Sequence, residues 1–200
     1  MKSIITSIIL LVVAISSFAQ DLSADLIGDT TLSFQSSNYP DKYIRHQSSR
    51  VKLTDITSTL DRNDASFVVV PSLSGQAGHV SFESVNFPGH YLRHSGFVMY
   101  LHKNDNSDLF KKDASFKPIK GLIGDGYSFQ SENFPDRFLR HSGFVLRIDP
   151  NNGTDIFKKD ASFFMVTALN APLLPTPTLK RRVVIENPDD LYMLFDCTVH

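Results

Sequence analysis

The sequence of 200 residues contains one cysteine, no tryptophan and no long basic run. Because Cys197 is the only thiol, no disulfide can form within the chain, and any disulfide through Cys197 would link two chains into a dimer. The net charge is −1, and the longest basic run is the triplet 180–182, so the basic surface typical of nucleic-acid-binding proteins is lacking. After residue 19 no apolar stretch is long enough to span a membrane.

The N-terminus has the pattern of a secretory signal peptide. Lys2 supplies a positive charge, residues 4–13 are almost entirely apolar, and Ser17-Phe18-Ala19 provides small residues before a cleavage site. We therefore predict that residues 1–19 are removed and that the protein is secreted. We expect one domain over residues 20–169, followed by a proline-rich connector and C-terminal tail over residues 170–200.

The predicted domain contains one unit repeated three times. The openings Ser33-Phe34-Gln35-Ser36, Ser81-Phe82-Glu83-Ser84 and Ser128-Phe129-Gln130-Ser131 start 48 and 47 residues apart. Residues 81–116 and 128–163 are identical at 22 of 36 aligned positions, which indicates internal duplication. We place the repeats at about residues 26–73, 74–120 and 121–169.

Each repeat has the alternation of apolar and polar residues typical of short strands. Four strands in each of three repeats predict an all-β, threefold closed barrel, and no stretch shows a helical period. The recurring phenylalanines, such as Phe34, Phe82 and Phe129, are expected in its core. Residues 104–107 and 151–154 are expected to be hairpin turns, since Asn152-Gly153 is a strong turn signal.

One histidine and one aspartate recur in every repeat at nearly constant spacing. The pairs are His46 with Asp64, His94 with Asp113, and His141 with Asp160, separated by 18, 19 and 19 residues. A carboxylate can accept two hydrogen bonds from neighbouring sugar hydroxyls, and an imidazole can add a donor or an acceptor. We therefore consider these pairs candidate sugar-binding residues, and we expect each acid to point outward into a cleft.

The same residues could instead serve the fold. The aspartate could satisfy backbone amides at a turn, the preceding arginine could hold it, and the histidine could bond a neighbouring repeat. Spacing alone does not separate the two interpretations, because duplicated folding residues recur as duplicated sites do.

The combined pattern resembles a known family. Ser-Phe-x-Ser-x-Asn-Phe-Pro, Tyr-Leu-Arg-His and Leu-Phe-Lys-Lys-Asp-Ala-Ser-Phe resemble the arabinose-binding AbfB domain of α-L-arabinofuranosidase B, or carbohydrate-binding module family 42. The resemblance covers roughly residues 24–169. It implies a β-trefoil with pseudo-threefold symmetry, one shallow sugar pocket per lobe, and sugar-binding roles for the three His–Asp pairs.

The expected function is that of a secreted, non-catalytic, lectin-like protein that binds arabinofuranose or similar sugar termini on a polysaccharide. The alternatives are a trefoil that has lost sugar binding and an accessory subunit of an arabinofuranosidase-type hydrolase. We expect no catalytic residue, since each repeat supplies one acid whereas glycosidases use two close carboxylates. We also expect no metal site, because His90-x-x-x-His94 suits a helix face whereas this stretch is predicted to run from a turn into a strand, and we expect no cofactor. The pocket of the first lobe is expected to be the weakest, because Gln47-Ser48-Ser49 replaces Ser-Gly-Phe and Asp61-Arg62-Asn63 replaces Phe-Lys-Lys.

Overall fold

Twelve short strands form one antiparallel sheet in the computed structural model, which describes residues 21–28 and 31–170. The predicted signal peptide and Cys197, together with the proline-rich connector beyond residue 170, lie outside the described residues. The all-β class is confirmed. Within the described residues, no helix is both long and apolar enough to cross a membrane.

After a single helical turn, α1 (Ser23–Leu26), the same order of elements occurs three times: three strands, a six-residue helix and a fourth strand. We call these groups lobe 1 (residues 31–71), lobe 2 (80–120) and lobe 3 (127–167). Lobe 1 contains β1 (Thr31–Ser36), β2 (Tyr43–Gln47), β3 (Arg50–Thr54), α2 (Thr59–Asp64) and β4 (Phe67–Pro71). Lobe 2 contains β5 (Val80–Ser84), β6 (His90–Ser95), β7 (Val98–Lys103), α3 (Asp108–Asp113) and β8 (Phe116–Lys120). Lobe 3 contains β9 (Tyr127–Ser131), β10 (Arg137–Ser142), β11 (Val145–Pro150), α4 (Asp155–Asp160) and β12 (Phe163–Thr167).

The short helices were not expected from the sequence. Six residues make fewer than two turns, so no helical period can build up. Their start signals are nevertheless present: the hydroxyls of Ser58, Ser107 and Thr154 each accept a hydrogen bond from the backbone N–H three residues later. The predicted hairpin turns at 104–107 and 151–154 are therefore wrong, since these residues lead into α3 and α4.

The hairpin turns lie instead between the second and third strand of each lobe. Ser48 and Ser49 connect β2 to β3, and Gly96 and Phe97 connect β6 to β7, all with positive φ. Two-residue turns with positive φ at both positions match the right-handed twist of the paired strands. Because serine and phenylalanine rarely adopt this conformation, the residue types at these positions did not predict hairpin turns.

The sheet closes on itself in two ways. β1 pairs with β12 over five residues, from Leu32 opposite Thr167 to Ser36 opposite Phe163, so the ends of the domain meet. The third strands also pair mutually, since β3 contacts both β7 and β11, and β7 contacts β11. Every lobe is therefore bonded to both of the others.

A cluster of phenylalanines fills the centre of this closed sheet. The rings of Phe34, Phe82 and Phe129, one from each lobe, meet edge to face with centroid separations of 5.3, 5.5 and 5.1 Å. Phe67, Phe116 and Phe163 are also fully buried. The predicted phenylalanine core is confirmed. Truncation of one such ring to alanine typically costs about 3–5 kcal/mol.

Candidate functional site

Each lobe brings its predicted histidine and aspartate into contact. The histidine lies near the end of the second strand with a buried side chain, and the aspartate is the last residue of the short helix. The Nε2–Oδ1 distances are 3.5 Å for His46 and Asp64, 3.3 Å for His94 and Asp113, and 3.2 Å for His141 and Asp160.

The aspartates do not project freely into solvent. Only 6 %, 4 % and 6 % of the surfaces of Asp64, Asp113 and Asp160 are exposed, where we had expected acids that point outward. Asp64 lines a cavity of about 340 Å³, and Asp113 lines one of about 270 Å³. Only a ligand that enters the cavity can therefore reach the carboxylate.

A third residue, missed at the sequence level, completes each arrangement. An asparagine from a different lobe donates from Nδ2 to the aspartate Oδ1 and presents its own Oδ1 to the histidine Nε2. It is Asn86 for His46 and Asp64, Asn133 for His94 and Asp113, and Asn38 for His141 and Asp160, with Nδ2–Oδ1 distances of 2.7, 2.7 and 2.8 Å. We call these triplets site 1, site 2 and site 3, in that order. The asparagines recur as regularly as the pairs, but Asn-x-Pro also suggests a turn, which concealed this role.

In site 2 and in site 3, an arginine of the same lobe holds the carboxylate. Arg93 Nη2 donates to Asp113 Oδ2 at 2.6 Å, and Arg140 Nη2 donates to Asp160 Oδ2 at 2.7 Å. The Nε–H of each arginine donates to the backbone carbonyl of the histidine that follows it. These guanidinium groups also lie 5.1 Å from the rings of Phe110 and Phe157.

Site 1 differs because Asp61 stands where the other lobes have Phe110 and Phe157. Arg45 bonds to Asp61 rather than to Asp64, and its buried Nε has no hydrogen-bond partner. Asp61 also accepts from the backbone N–H groups of Thr57 and Ser58 and closes a capping box at the start of α2. Hydrogen bonds from Thr57 and Arg45 hold the pKa of Asp61 well below its usual value.

The three site histidines are neutral at neutral pH. Burial lowers the pKa of His46, His94 and His141 below the ordinary 6.5, and this exceeds the opposing effect of the neighbouring aspartates. In site 2, Nε2 lies 2.9 Å from Asn133 Oδ1 and 3.3 Å from Asp113 Oδ1. Both oxygens accept hydrogen bonds, so the single proton of the neutral ring belongs on Nε2.

Apolar side chains form the walls of the sites. An aromatic ring packs edge-on against each histidine, with Phe87 at 5.4 Å from His46, Phe134 at 5.5 Å from His94 and Tyr39 at 5.4 Å from His141. In sites 2 and 3 a second ring, Phe97 or Phe144, lies nearly parallel to the histidine, whereas lobe 1 has Ser49 at that position. The first turn of each helix presents one exposed aliphatic residue, and these residues are Leu60, Leu109 and Ile156.

The described residues contain no cluster of three or more His, Cys, Asp or Glu side chains arranged to hold a metal ion.

Solved structures with a similar fold include two arabinofuranosidases. One, a GH54 α-L-arabinofuranosidase with a cyclic sulfate inhibitor, has a TM-score of 0.66 and 34% identity over 70% of this chain and 31% of that chain. The other, complexed with arabinofuranosyl-α-1,2-xylobiose, has a TM-score of 0.67 and 33% identity over 71% of this chain and 32% of that chain. The BEL β-trefoil has a TM-score of 0.55 at 10% identity over 70% of this chain and 96% of its own, which shows similarity of fold alone.

The sequence profile of the alpha-L-arabinofuranosidase B (ABFB) domain matches residues 32–165. The chain belongs to the ABFB domain family. The matched range includes every residue of the three sites. An extracellular exo-α-(1→5)-L-arabinofuranosidase of Streptomyces avermitilis is 47% identical over 95 residues, which are 48% of this chain and 19% of that enzyme. This ABFB chain thus spans about a fifth of that curated relative (19%) and about a third of the two arabinofuranosidase structures (31% and 32%).

Proposed function

We propose that the chain is a secreted, non-catalytic carbohydrate-binding protein with a β-trefoil fold of pseudo-threefold symmetry. Each of sites 1–3 binds an arabinofuranose or similar sugar terminus of a glycan. The observation that carries the proposal is the position of a carboxylate at the floor of a small cavity with an apolar wall, lined by His46 and Asp64 in site 1 and by His94 and Asp113 in site 2.

The hydrogen bonds around the carboxylate leave acceptor capacity for a ligand. An ionised aspartate offers about four lone-pair sites. In site 2, Asn133 and Arg93 each donate one hydrogen bond to Asp113, and these bonds fix the orientation of the carboxylate. The remaining capacity can accept sugar hydroxyls, and bonds to an ionised acceptor are the stronger kind.

The wall residues suit the other face of a sugar. The C–H groups of a furanose ring are apolar and can pack against aromatic and aliphatic side chains. Phe97, Phe134 and Leu109 line the cavity of site 2 and supply such a surface. A site with a charged floor and an apolar wall therefore matches a sugar better than it matches an ion.

Catalysis is not part of the proposal. Glycoside hydrolysis generally requires two carboxyl groups that flank the scissile bond. The described cavities of sites 1 and 2 are each lined by one carboxylate, Asp64 or Asp113. Such an arrangement can bind a sugar but lacks the acid–base pair of a glycosidase.

Weak individual binding is expected to be compensated by multivalency. A single shallow site binds on the order of millimolar, or about −4 kcal/mol. Simultaneous occupation of several sites on one branched glycan can raise the apparent affinity by roughly 10²–10⁴.

The test compares variants on an arabinan or arabinoxylan affinity gel. Asp113→Ala with Asp160→Ala removes the carboxylates of sites 2 and 3, and we expect most of the retardation to disappear. Because both acids are buried and bonded to arginines, this double variant also loses stability, so it needs a second comparison.

Leu109→Ser with Ile156→Ser is that comparison. These side chains are 66 % and 69 % exposed, so their removal should leave the melting temperature unchanged. Weaker retardation at an unchanged melting temperature supports sugar binding. Retardation equal to that of the unmodified protein in both double variants, with circular dichroism also unchanged, contradicts it.

A second candidate is the sugar-binding part or accessory subunit of an arabinofuranosidase-type hydrolase. The observation that favours it is coverage of the relatives. This chain matches 19% to 32% of the length of proteins that are arabinofuranosidases, so it corresponds to one part of each of them. Under this hypothesis the purified chain releases no arabinose from a chromogenic arabinofuranoside. Its fusion to an arabinofuranosidase catalytic domain increases the activity of that domain on a polymeric substrate but not on the small chromogenic one.

A further inference from the structure

One position at the rim of the three sites carries a different nitrogen-containing side chain in each lobe. This position immediately precedes Tyr43, Tyr91 and Phe138 at the start of the second strand. The residue there is Lys42 in lobe 1, His90 in lobe 2 and Arg137 in lobe 3. Each of these side chains lies beside an aromatic wall: Lys42 is 5.6 Å from the Phe144 ring, the His90 ring is 5.9 Å from Phe87, and Arg137 is 3.9 Å from the Phe97 ring.

The charge of Lys42, beside site 3, is neutralised locally. Its ammonium group lies 2.8 Å from Asp55 and 3.4 Å from Asp41. Site 3 contains a further acid, because Arg140 approaches Asp149 at 3.5 Å as well as Asp160 at 2.7 Å. Arg147 also pairs with Asp149, at 2.8 Å, so the described ion pairs around site 3 join four carboxylates with three cations.

The charge of Arg137, beside site 2, has no such compensation. Among residues 21–28 and 31–170, no carboxylate lies within 4.0 Å of its guanidinium nitrogens, and its side-chain hydrogen bond is a long one, from Nη1 to the Ile148 carbonyl at 3.5 Å. Arg93, the other arginine of site 2, is already paired with Asp113. Site 2 therefore has a rim cation without a carboxylate partner among the described residues, whereas the rim cation of site 3 has two such partners.

The orientation of Arg137 suits a particular ligand group. Its guanidinium lies over the face of Phe97 and also lies 5.9 Å from the Phe134 ring, and both rings line the cavity of site 2. A guanidinium stacked in this way keeps its in-plane N–H donors available, and their fork matches the two oxygens of a carboxylate.

We propose that site 2 selects a sugar that carries a carboxylate, a hexuronic acid on or next to the residue in the cavity, and that Arg137 determines this selectivity. This inference rests on the proposed sugar-binding function. Sites 1 and 3 have no unpaired arginine at this position and bind neutral sugars.

The experiment uses NMR titration of the whole chain with two probes, an arabinoxylan oligosaccharide that bears glucuronic acid and the same oligosaccharide with its carboxyl group reduced to the alcohol. The amides of Gly96 and Gly143, at equivalent hairpin turns, report sites 2 and 3 separately. At Gly96 we expect the acidic probe to bind about threefold more tightly than the neutral one, with the difference falling as salt rises. At Gly143 we expect no preference for the acidic probe.

Three variants separate charge from packing. Arg137→Gln should abolish the preference at Gly96 while the neutral probe still binds, Arg137→Lys should retain part of it, and Lys42→Gln should leave Gly96 unchanged. Equal affinities of the two probes at Gly96 in the unmodified protein, or a preference that survives in Arg137→Gln, would overturn the inference and leave the proposed function intact. If neither probe shifts Gly96 or Gly143, the proposed function itself fails.

Discussion

Asn133 donates a hydrogen bond of 2.7 Å to Asp113, although the two residues belong to different lobes. The same asparagine presents its Oδ1 to His94 at 2.9 Å, so one amide side chain satisfies a buried carboxylate and a buried imidazole. The equivalent bonds from Asn86 and Asn38 place one such bridge at every junction between lobes. Each candidate site thus also joins two neighbouring lobes.

The first prediction concerns the asparagine bridge between lobes. Asn133→Ala leaves Asp113 Oδ1 and His94 Nε2 with fewer partners in a buried environment, and we expect a loss of about 1–3 kcal/mol in the free energy of unfolding. Urea denaturation measures the loss. The control is Gln47→Ala, since Gln47 is exposed and, among the described residues, its side-chain carbonyl accepts a hydrogen bond from Lys52 alone. Equal stabilities for the two variants would show that the bridge contributes nothing.

The second prediction concerns pH. Because burial lowers the pKa of His46, His94 and His141 in the folded state, the unfolded chain binds more protons near the ordinary value of 6.5. The free energy of unfolding should therefore be constant above that pH and should fall as pH decreases below about 6.5, until the lowered pKa values of the folded state are passed. Denaturation series at pH 7.5 and 5.5 measure the difference.

The variant His94→Gln serves as the comparison for this pH dependence. It lowers stability at both pH values but removes one titrating group, so the difference between pH 7.5 and 5.5 should shrink. Stability that increases on acidification over this range would contradict the assignment of neutral histidines.

The third prediction concerns the divergence of site 1. Asp61→Ala removes the acceptor for the Thr57 and Ser58 amides and leaves the buried Arg45 without its carboxylate, and we expect a cost of about 3–5 kcal/mol. Asp55→Ala is the matched control, because the ion pair of Asp55 with Lys42 lies at the surface and its loss should change little. A thermal melt that ranks Asp55→Ala as the more destabilising variant would refute this account.

The fourth prediction concerns the aromatic walls. Phe144 is 40 % exposed and stacks near His141, so Phe144→Ser should weaken sugar binding at site 3 by about fivefold at little cost in stability. Ser49→Phe places a ring at the equivalent position in lobe 1, where φ is 64° and Phe97 and Phe144 have 65° and 62°. We expect this variant to strengthen site 1, measured per site by NMR titration. No change at either site would mean that these rings do not contact the sugar.

Much of the architecture could be predicted because the sequence repeats. Threefold recurrence marks Phe34, Phe82 and Phe129 as equivalent, and apolar equivalents in one chain belong to a shared core. Recurrence also identified the histidines and aspartates, whose contacts the structure shows. The ABFB membership, first indicated by a resemblance, is confirmed by the profile match.

Other features left no distinct trace in the sequence. The bridging role of Asn133 was hidden because Asn-x-Pro is sufficiently explained by a turn. The helices, at six residues each, are too short to show a period, although Ser107 and Thr154 supplied their capping signals. The altered contact of Arg45 depends on Asp61, whose substitution for phenylalanine was visible, but its consequence required the positions of both side chains.

The bonds that join neighbouring lobes also determine the order in which the three sites become complete during synthesis. A chain that has emerged as far as Lys120 contains every residue of site 1, because His46, Asp64 and Asn86 all precede that point. Site 2 is completed when Asn133 emerges. Site 3 joins Asn38 to Asp160, which are separated by 122 positions, so its last residue becomes available only when almost the whole domain has been translated.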